Sequence, residues 1–164
     1  MPERDYIGDT LEVSYRGVFD FDGLYKVLHQ WFKKQGYWFR EVDYKEYKEG
    51  GVQKLFVKWR GMKKMTDYVR CIIEVNLQLD GMTEVVVKNT KRMSGGLSVK
   101  VVGYLEKDYE ETWARAKLAK FLREAYDQFV GGSKMQEMRD ELYKDMQMFR
   151  NDVKAFLNLH KMGK

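Results

Sequence analysis

The longest regular pattern in this sequence is an alternation of apolar and polar residues between positions 69 and 79. Strict alternation of this kind predicts a β-strand with one face in a core and the other in solvent. The only cysteine falls on the apolar side, so we expect a buried thiol and no disulfide framework. The apolar positions are Val69, Cys71, Ile73, Val75, Leu77 and Leu79.

Shorter alternations of the same kind predict five more strands. One lies near residues 11–15, and two near 37–48 and 53–60 are joined by a turn at Glu49-Gly50-Gly51. The pair Asp80-Gly81 is a two-residue hairpin signal, and predicts a turn from the long strand into a strand containing Val85 and Val87. A loop over 88–96 then leads to a strand at 97–101. We therefore predict an antiparallel sheet of about six strands.

Three further segments have apolar residues at helical spacing. The first follows the strand at 11–15, with Asp20 or Asp22 placed to cap its start and Gly36 placed to end it. The second begins with a capping-box-like pair at Asp108 and Glu111 and extends to about residue 130. Its apolar stripe consists of Ala114, Leu118, Phe121, Leu122, Ala125 and Phe129.

The third helical segment begins at Ser133 and has a narrow apolar seam with near-heptad spacing. A seam of this kind packs against one helix or one surface. That surface is either the protein's own or that of a partner, including a second copy of the chain in a homodimer. The residues of the seam are Met135, Met138, Leu142, Met146, Phe149, Val153 and Phe156.

The order of these elements resembles the helix-grip folds of the START and Bet v 1-like (SRPBCC) superfamily over roughly residues 10–130. The resemblance implies a curved antiparallel sheet gripped by a long helix, with a cavity between them that often holds an apolar ligand. We therefore predict an α+β fold, with a helix-grip-like domain over residues 1–130 and a C-terminal helical appendage over 133–164.

Strands and helix that face each other predict a ligand pocket between them. We expect it to take a small hydrophobic ligand or a protein partner, as a non-enzymatic binding protein would. The candidate lining residues share the inward side of their elements, and they are Val57, Trp59, Ile73, Val75, Val99, Leu118 and Leu122.

No catalytic or metal-binding motif occurs in this sequence. Gly-x-Ser-x-Gly, His-Glu-x-x-His and Gly-Lys-Ser/Thr are all missing, and neither His29 nor His160 has a second ligand at metal spacing. Glu41, Asp43 and Glu46 could act as acid and base in a pocket, although charges alternating on a strand usually form a solvated face. We therefore expect no enzymatic activity, no cofactor and no metal.

Composition agrees with a globular domain, since 44% of the 164 residues are hydrophobic and 34% are charged. No apolar stretch of about 18 residues occurs and the N-terminus lacks a signal-peptide pattern, so we expect a cytoplasmic protein without a transmembrane segment. Positive charge is concentrated in two segments. Six basic residues against one acidic residue give net +5 over 54–70, and four basic residues give net +4 over 88–100, against +5 for the whole chain.

These basic segments predict an alternative function, the binding of RNA or of the ribosome. Cationic strands with interleaved aromatic residues commonly hold single-stranded nucleic acid. Lysines on strands also prevent aggregation, and an anionic membrane or an acidic protein would match the same charge. The candidate residues are Lys54, Phe56, Lys58, Arg60, Lys63, Lys64, Tyr68, Arg70, Lys88, Lys91 and Arg92.

Overall fold

The computed structural model describes residues 3–66, 68–107 and 133–161. Within these residues six strands form one antiparallel sheet and two helices pack on it, so the fold is α+β as predicted. The helices are α1 (Phe21–Lys34) and α2 (Ser133–Lys161). The strands are β1 (Glu3–Tyr6), β2 (Leu11–Phe19), β3 (Trp38–Glu49), β4 (Val52–Lys64), β5 (Val69–Val87) and β6 (Thr90–Lys107).

The sheet is open, and its strands follow the order β1-β6-β5-β4-β3. Strand β2 also pairs with β6, so β1 and β2 share one side of that strand. Among the strands that the structure describes, the opposite edge is β3, which pairs with β4 alone. This order places the ends of β3, β4, β5 and β6 side by side, where the site described below is formed.

Local sequence signals account for the start of α1 and for the first hairpin. The side chain of Asp20 accepts a hydrogen bond from the Gly23 amide at 3.1 Å, which caps the helix as predicted. Gly50 and Gly51 have φ angles of +60° and +79°, and they connect β3 to β4. Glycine adopts this left-handed conformation without the steric cost that a side chain brings.

The core lies between the two helices and one face of the sheet, which we call the inner face. It carries the fully buried residues Val57, Val75 and Val99. The Phe32 ring of α1 lies over Gly61 of β4, so close that a Cβ atom at that glycine would sit 2.5 Å from the ring. Side-chain-free positions of this kind let the helix pack directly on the backbone of the sheet.

The apolar seam of α2 packs in this same core and covers the protein's own sheet. Phe156 is only half-buried, and the next residue, Leu157, is 2% exposed and completes the seam instead. The remaining seam residues are all buried, namely Met135, Met138, Leu142, Met146, Phe149 and Val153.

The predicted hairpin turn at Asp80-Gly81 is wrong. Strand β5 continues through it to Val87, with a register irregularity between Asp80 and Thr83 and a φ of +60° at Gly81. A glycine with positive φ serves a β-bulge as well as a turn, so the dipeptide alone does not distinguish the two.

The turn lies instead at Lys88 and Asn89, with φ angles of +49° and +63°, because Val87 pairs with Thr90. The predicted loop over 88–96 is therefore mostly strand, and the predicted fifth strand is the end of β5. Six strands were predicted and six are described, because β1, which was not predicted, replaces in the count the predicted strand that is part of β5.

The predicted helix from Asp108, with its stripe that includes Leu118 and Leu122, lies outside the described residues. So does the predicted domain boundary near residue 130. The grip helix and the division into two domains therefore stay predictions.

Candidate functional site

A cleft of about 360 Å³ opens between the start of α1 and the adjoining ends of β3, β4, β5 and β6. The strand order places it there, because these four strands are consecutive neighbours in the sheet. Its size falls at the lower end of the range of small-molecule sites in proteins, roughly 300 to 1,000 Å³.

The floor of the cleft is apolar. Leu79 and Met82 of β5 are 2% and 1% exposed, and both face the core although they are three positions apart, because the irregularity after Asp80 interrupts the alternation. Leu55, Met93 and Phe21 complete the floor as partly buried residues packed against the core. A ligand bound here would therefore remove apolar surface from water, both its own and that of the cleft.

The rim of the cleft is polar and charged. Glu84 lies 3.4 Å from the ammonium group of Lys91 across the β5–β6 hairpin, and Glu46 is within 3.5 Å of the Gln53 amide nitrogen. Burial raises the pKa of the Tyr44 hydroxyl above its ordinary value, and the nearby carboxylate of Glu46 adds to this effect. The remaining polar lining consists of Asp20, Asp22 and Arg92.

The carboxylates that the sequence singled out on the second predicted strand do not lie together. Glu46 lines the cleft, whereas Glu41 accepts hydrogen bonds from the Tyr25 hydroxyl at 2.8 Å and from the Trp59 indole at 3.3 Å. Asp43 lies 3.6 Å from Lys45 on the opposite side of the strand.

The predicted pocket residues occupy a different place from the cleft. Leu118 and Leu122 lie outside the described residues. The other five do not line the cleft, because each is fully buried in the packed core: Val57, Trp59, Ile73, Val75 and Val99. These five side chains face inward, as the alternation indicated. The sequence could not indicate that the cleft lies nearer the ends of the strands.

The predicted nucleic-acid residues divide among several surfaces. Lys63 lies 3.6 Å from Glu141 of α2 on the inner side, and Tyr68 is buried. Lys88, Lys91 and Arg92 belong to the β5–β6 hairpin end. The residues on the face opposite the helices, which we call the outer face, are Lys54, Phe56, Lys58, Arg60, Lys64 and Arg70.

On the outer face, several hydrogen-bond donors and cations surround the carboxylate of Glu74. Arg60 donates to it at 3.0 Å, the Tyr104 hydroxyl donates at 2.9 Å, and the Lys58 ammonium lies 3.8 Å away. Burial acts to raise the pKa of Glu74, but these hydrogen bonds and cations outweigh it, so the pKa is lowered. Arg70 similarly pairs with Glu106 at 2.6 Å.

Next to this network, β3 contributes residues that sequence analysis missed. Lys45 lies directly opposite Phe56, and Tyr47 lies directly opposite Lys54. Neighbouring side chains on one face therefore alternate between lysine and aromatic ring along both strands. We call these four residues the lysine–aromatic patch. The alternation of β3 was visible in the sequence, but its pairing partner was needed to assemble the patch.

A second polar group lies inside the core, where Tyr37 donates a hydrogen bond to Asp145 of α2 at 2.8 Å. Cys71 is buried nearby, and burial with the negative charge of Glu141 raises the pKa of its thiol to about 12. The thiol therefore stays protonated and lacks the thiolate character of a nucleophile.

Residues 3–66, 68–107 and 133–161 contain no group of three or more His, Cys, Asp or Glu side chains that could hold a metal ion. Among the same residues, no helix has both the length and the apolar character to cross a membrane.

Comparison with known proteins gives little further information. No family model matches the chain, and no curated protein matches it. A solved structure of an uncharacterized protein from Rhizobium leguminosarum aligns with 91% of this chain and 97% of its own, at 11% identity and a TM-score of 0.16. That TM-score is too low to inform either fold or function.

Proposed function

We propose that this protein is a non-enzymatic binding protein that takes a small, largely apolar ligand in the cleft between α1 and the strand ends. The observation that carries the proposal is the combination of an apolar floor with a polar rim in a space of about 360 Å³. Sites for small molecules commonly combine apolar walls with a few polar groups that orient the ligand.

The packing of the rest of the inner face supports this location. Val57, Val75 and Val99 are fully buried among core residues, whereas the cleft at the strand ends leaves part of the inner face open among the described residues. Each apolar side chain that a ligand covers contributes favourable free energy in proportion to the area removed from water, about 25 cal/mol per Å². The helix-grip resemblance, which implies an apolar ligand beside the sheet, agrees with the proposal.

Binding rather than catalysis is the function that the polar groups favour. The Glu84 carboxylate is close to Lys91, and Asp20 is engaged by the backbone of its own helix. The described residues that line the cleft include no nucleophile with an adjacent base. The groups at the rim are therefore suited to orient a ligand and to interact with water.

The proposal is tested with Nile red, a neutral apolar fluorophore, titrated into the purified protein. The variant Leu55→Trp places an indole in the cleft, whereas the control Val52→Trp adds the same indole at an exposed position outside it. We expect saturable fluorescence enhancement with the wild type and the control, and its loss in Leu55→Trp. Equal binding by both variants, with circular dichroism showing both folded, would contradict the proposal.

Native mass spectrometry of the protein purified from its own cells extends this test. A bound molecule that is present in the wild type and missing in Leu55→Trp would identify the chemical class of the ligand. The same molecule retained by both would place its binding site elsewhere.

A further inference from the structure

The lysine–aromatic patch exposes rings and cations together on a solvated face of the sheet. Tyr47 is 61% exposed, and the side chain of Lys45 is 56% exposed. Lys54 is exposed as well, and Phe56 is half-buried between Lys54 and Lys58. Directly opposite side chains have Cβ atoms about 4.5 to 5.5 Å apart, so each ring has a lysine within reach of the same ligand.

Positive charge is in excess around the patch. The outer positions of β3 and β4 from Trp38 to Arg60 carry five cations and two carboxylates. Arg40 lies directly opposite Arg60, an arrangement of like charges that costs stability on a sheet surface. Among the described residues neither Arg40 nor Lys54 forms an ion pair. An anionic partner bound here would remove this repulsion.

The existing ion pairs leave the cations available to such a partner. Lys58 and Arg60 share the single carboxylate of Glu74, and Lys45 is 3.6 Å from Asp43. The pair between the exposed side chains of Lys45 and Asp43 contributes only about 0 to 1 kcal/mol, so its exchange for a phosphate group costs little.

The rings distinguish among anionic partners. An acidic protein or a lipid surface would satisfy the lysines but give the exposed ring of Tyr47 no stacking partner. Bases of single-stranded nucleic acid stack on aromatic side chains while their phosphates contact neighbouring cations. We propose that the outer face of β3 and β4 binds single-stranded nucleic acid, with bases on Tyr47 and Phe56 and phosphates at Lys45, Lys54 and Arg40.

This proposal is independent of the cleft ligand, since the patch and the cleft lie on opposite faces of the sheet. The test is fluorescence anisotropy with labelled oligouridylate and oligothymidylate of about ten nucleotides, which covers the usual site sizes of such surfaces. At about 50 mM salt we expect binding by the wild type. Affinity should fall with salt, with a slope of about −0.7 for each phosphate contacted.

Two sets of variants test the contribution of base stacking and the contribution of phosphate contacts separately. Tyr47→Ala should weaken binding about 5- to 100-fold, the range expected for one lost stacking contact, and Tyr47→Phe should retain binding. The double variant Lys45→Gln/Lys54→Gln should weaken binding and reduce the magnitude of the salt slope by about 1.4, because two phosphate contacts are removed.

Each variant has a matched control elsewhere on the protein. Tyr44→Ala removes a similarly exposed tyrosine from the same strand, but from the inner face. Lys134→Gln/Lys154→Gln removes two exposed lysines from α2, which lies on the inner side. Both controls should bind like the wild type.

Binding of either RNA or DNA with these variant effects supports the proposal. The oligonucleotide that binds more tightly indicates whether the natural partner is RNA or DNA. No binding of either at about 50 mM salt overturns it, because electrostatic contacts are strongest there. Equal weakening by the α2 double variant also overturns it, since net charge rather than the patch would then be responsible. Retention on phosphatidylserine vesicles without binding of either oligonucleotide would assign the face to lipid instead.

Discussion

The hydroxyl group of Tyr37 donates a hydrogen bond to Oδ2 of Asp145 at 2.8 Å, although the two residues are 108 positions apart. Tyr37 lies in the connection between α1 and β3 and Asp145 lies near the middle of α2, so this bond ties the end of α1 to α2 within the core. Trp31 and Phe149 pack beside it, with ring centroids 5.1 Å apart. A buried polar pair of this kind fixes the position of one helix relative to the other.

Tyr37→Phe should destabilise the protein by about 1 to 3 kcal/mol, because the buried Asp145 carboxylate loses its donor. The matched control is Tyr25→Phe, which removes an exposed hydroxyl bonded to Glu41 and should cost less than about 1 kcal/mol. Urea denaturation of both variants measures the difference. Similar losses in the two would contradict a special role for the buried pair.

The same pair predicts a pH dependence of stability. Burial raises the pKa of the Asp145 carboxyl, although the Tyr37 hydrogen bond partly opposes this. The folded state therefore holds the proton more tightly than the unfolded state, so this contribution to stability is present below the ordinary aspartate pKa and is lost as pH rises through the folded-state pKa.

Asp145→Asn removes this titration while keeping an oxygen that can accept from Tyr37. We expect the free energy of unfolding of the variant, relative to wild type, to increase as pH rises through the folded-state pKa of Asp145. Denaturation series at several pH values measure it. A difference that does not change with pH would show that Asp145 titrates alike in the folded and unfolded states.

The α2 seam should contribute strongly to stability. Phe149→Ala removes a fully buried ring and should cost about 3 to 5 kcal/mol. Leu159→Ala, on the same helix but 73% exposed, should change stability by less than about 0.5 kcal/mol. Thermal and chemical denaturation give both values, and equal effects would show that the seam does not carry core packing.

Truncation after Gly132 tests the predicted appendage directly. A helix that is only an appendage, as predicted for residues 133–164, could be removed without unfolding the remainder. The seam of α2 covers the inner face of the sheet, and we now expect the truncated chain to lose its cooperative thermal transition. A folded truncated protein, judged by circular dichroism and dispersed amide resonances, would restore the appendage hypothesis.

Gly61→Ala should cost about 1 to 3 kcal/mol, since the added methyl group would approach the Phe32 ring to 2.5 Å. Adding Phe32→Leu to this variant makes room and should recover part of the loss. Denaturation of the single and double variants measures the coupling. Independent, additive effects would indicate that helix and strand adjust without strain.

Much of the local structure was determined by sequence alone. Alternation from Val69 to Leu79 fixed which side chains face the core, because the period of two leaves no other choice on a half-buried strand. Asp20 and the helical spacing that follows it determined α1, since the cap and the apolar stripe are both local. The seam of α2 was correct from Met135 to Val153 for the same reason, whereas Leu157 takes the place of Phe156 at its end.

Tertiary structure decided what local signals leave ambiguous. Asp80-Gly81 and Lys88-Asn89 can both adopt positive φ, and only the pairing of β5 with β6 makes the first a bulge and the second the turn. The seam of α2 could also have covered a partner, and only the tertiary structure shows that it lies on the protein's own sheet.

The two proposed sites were likewise decided by tertiary structure. Glu46 of β3 and Glu84 of β5 meet at one cleft only because β4 lies between these two strands and pairs with both. Tyr47 and Lys54 become neighbours only through the register of β3 on β4. Sequence periodicity determines the face on which a side chain lies, whereas strand order and register, set by contacts between distant segments, determine which side chains share a site.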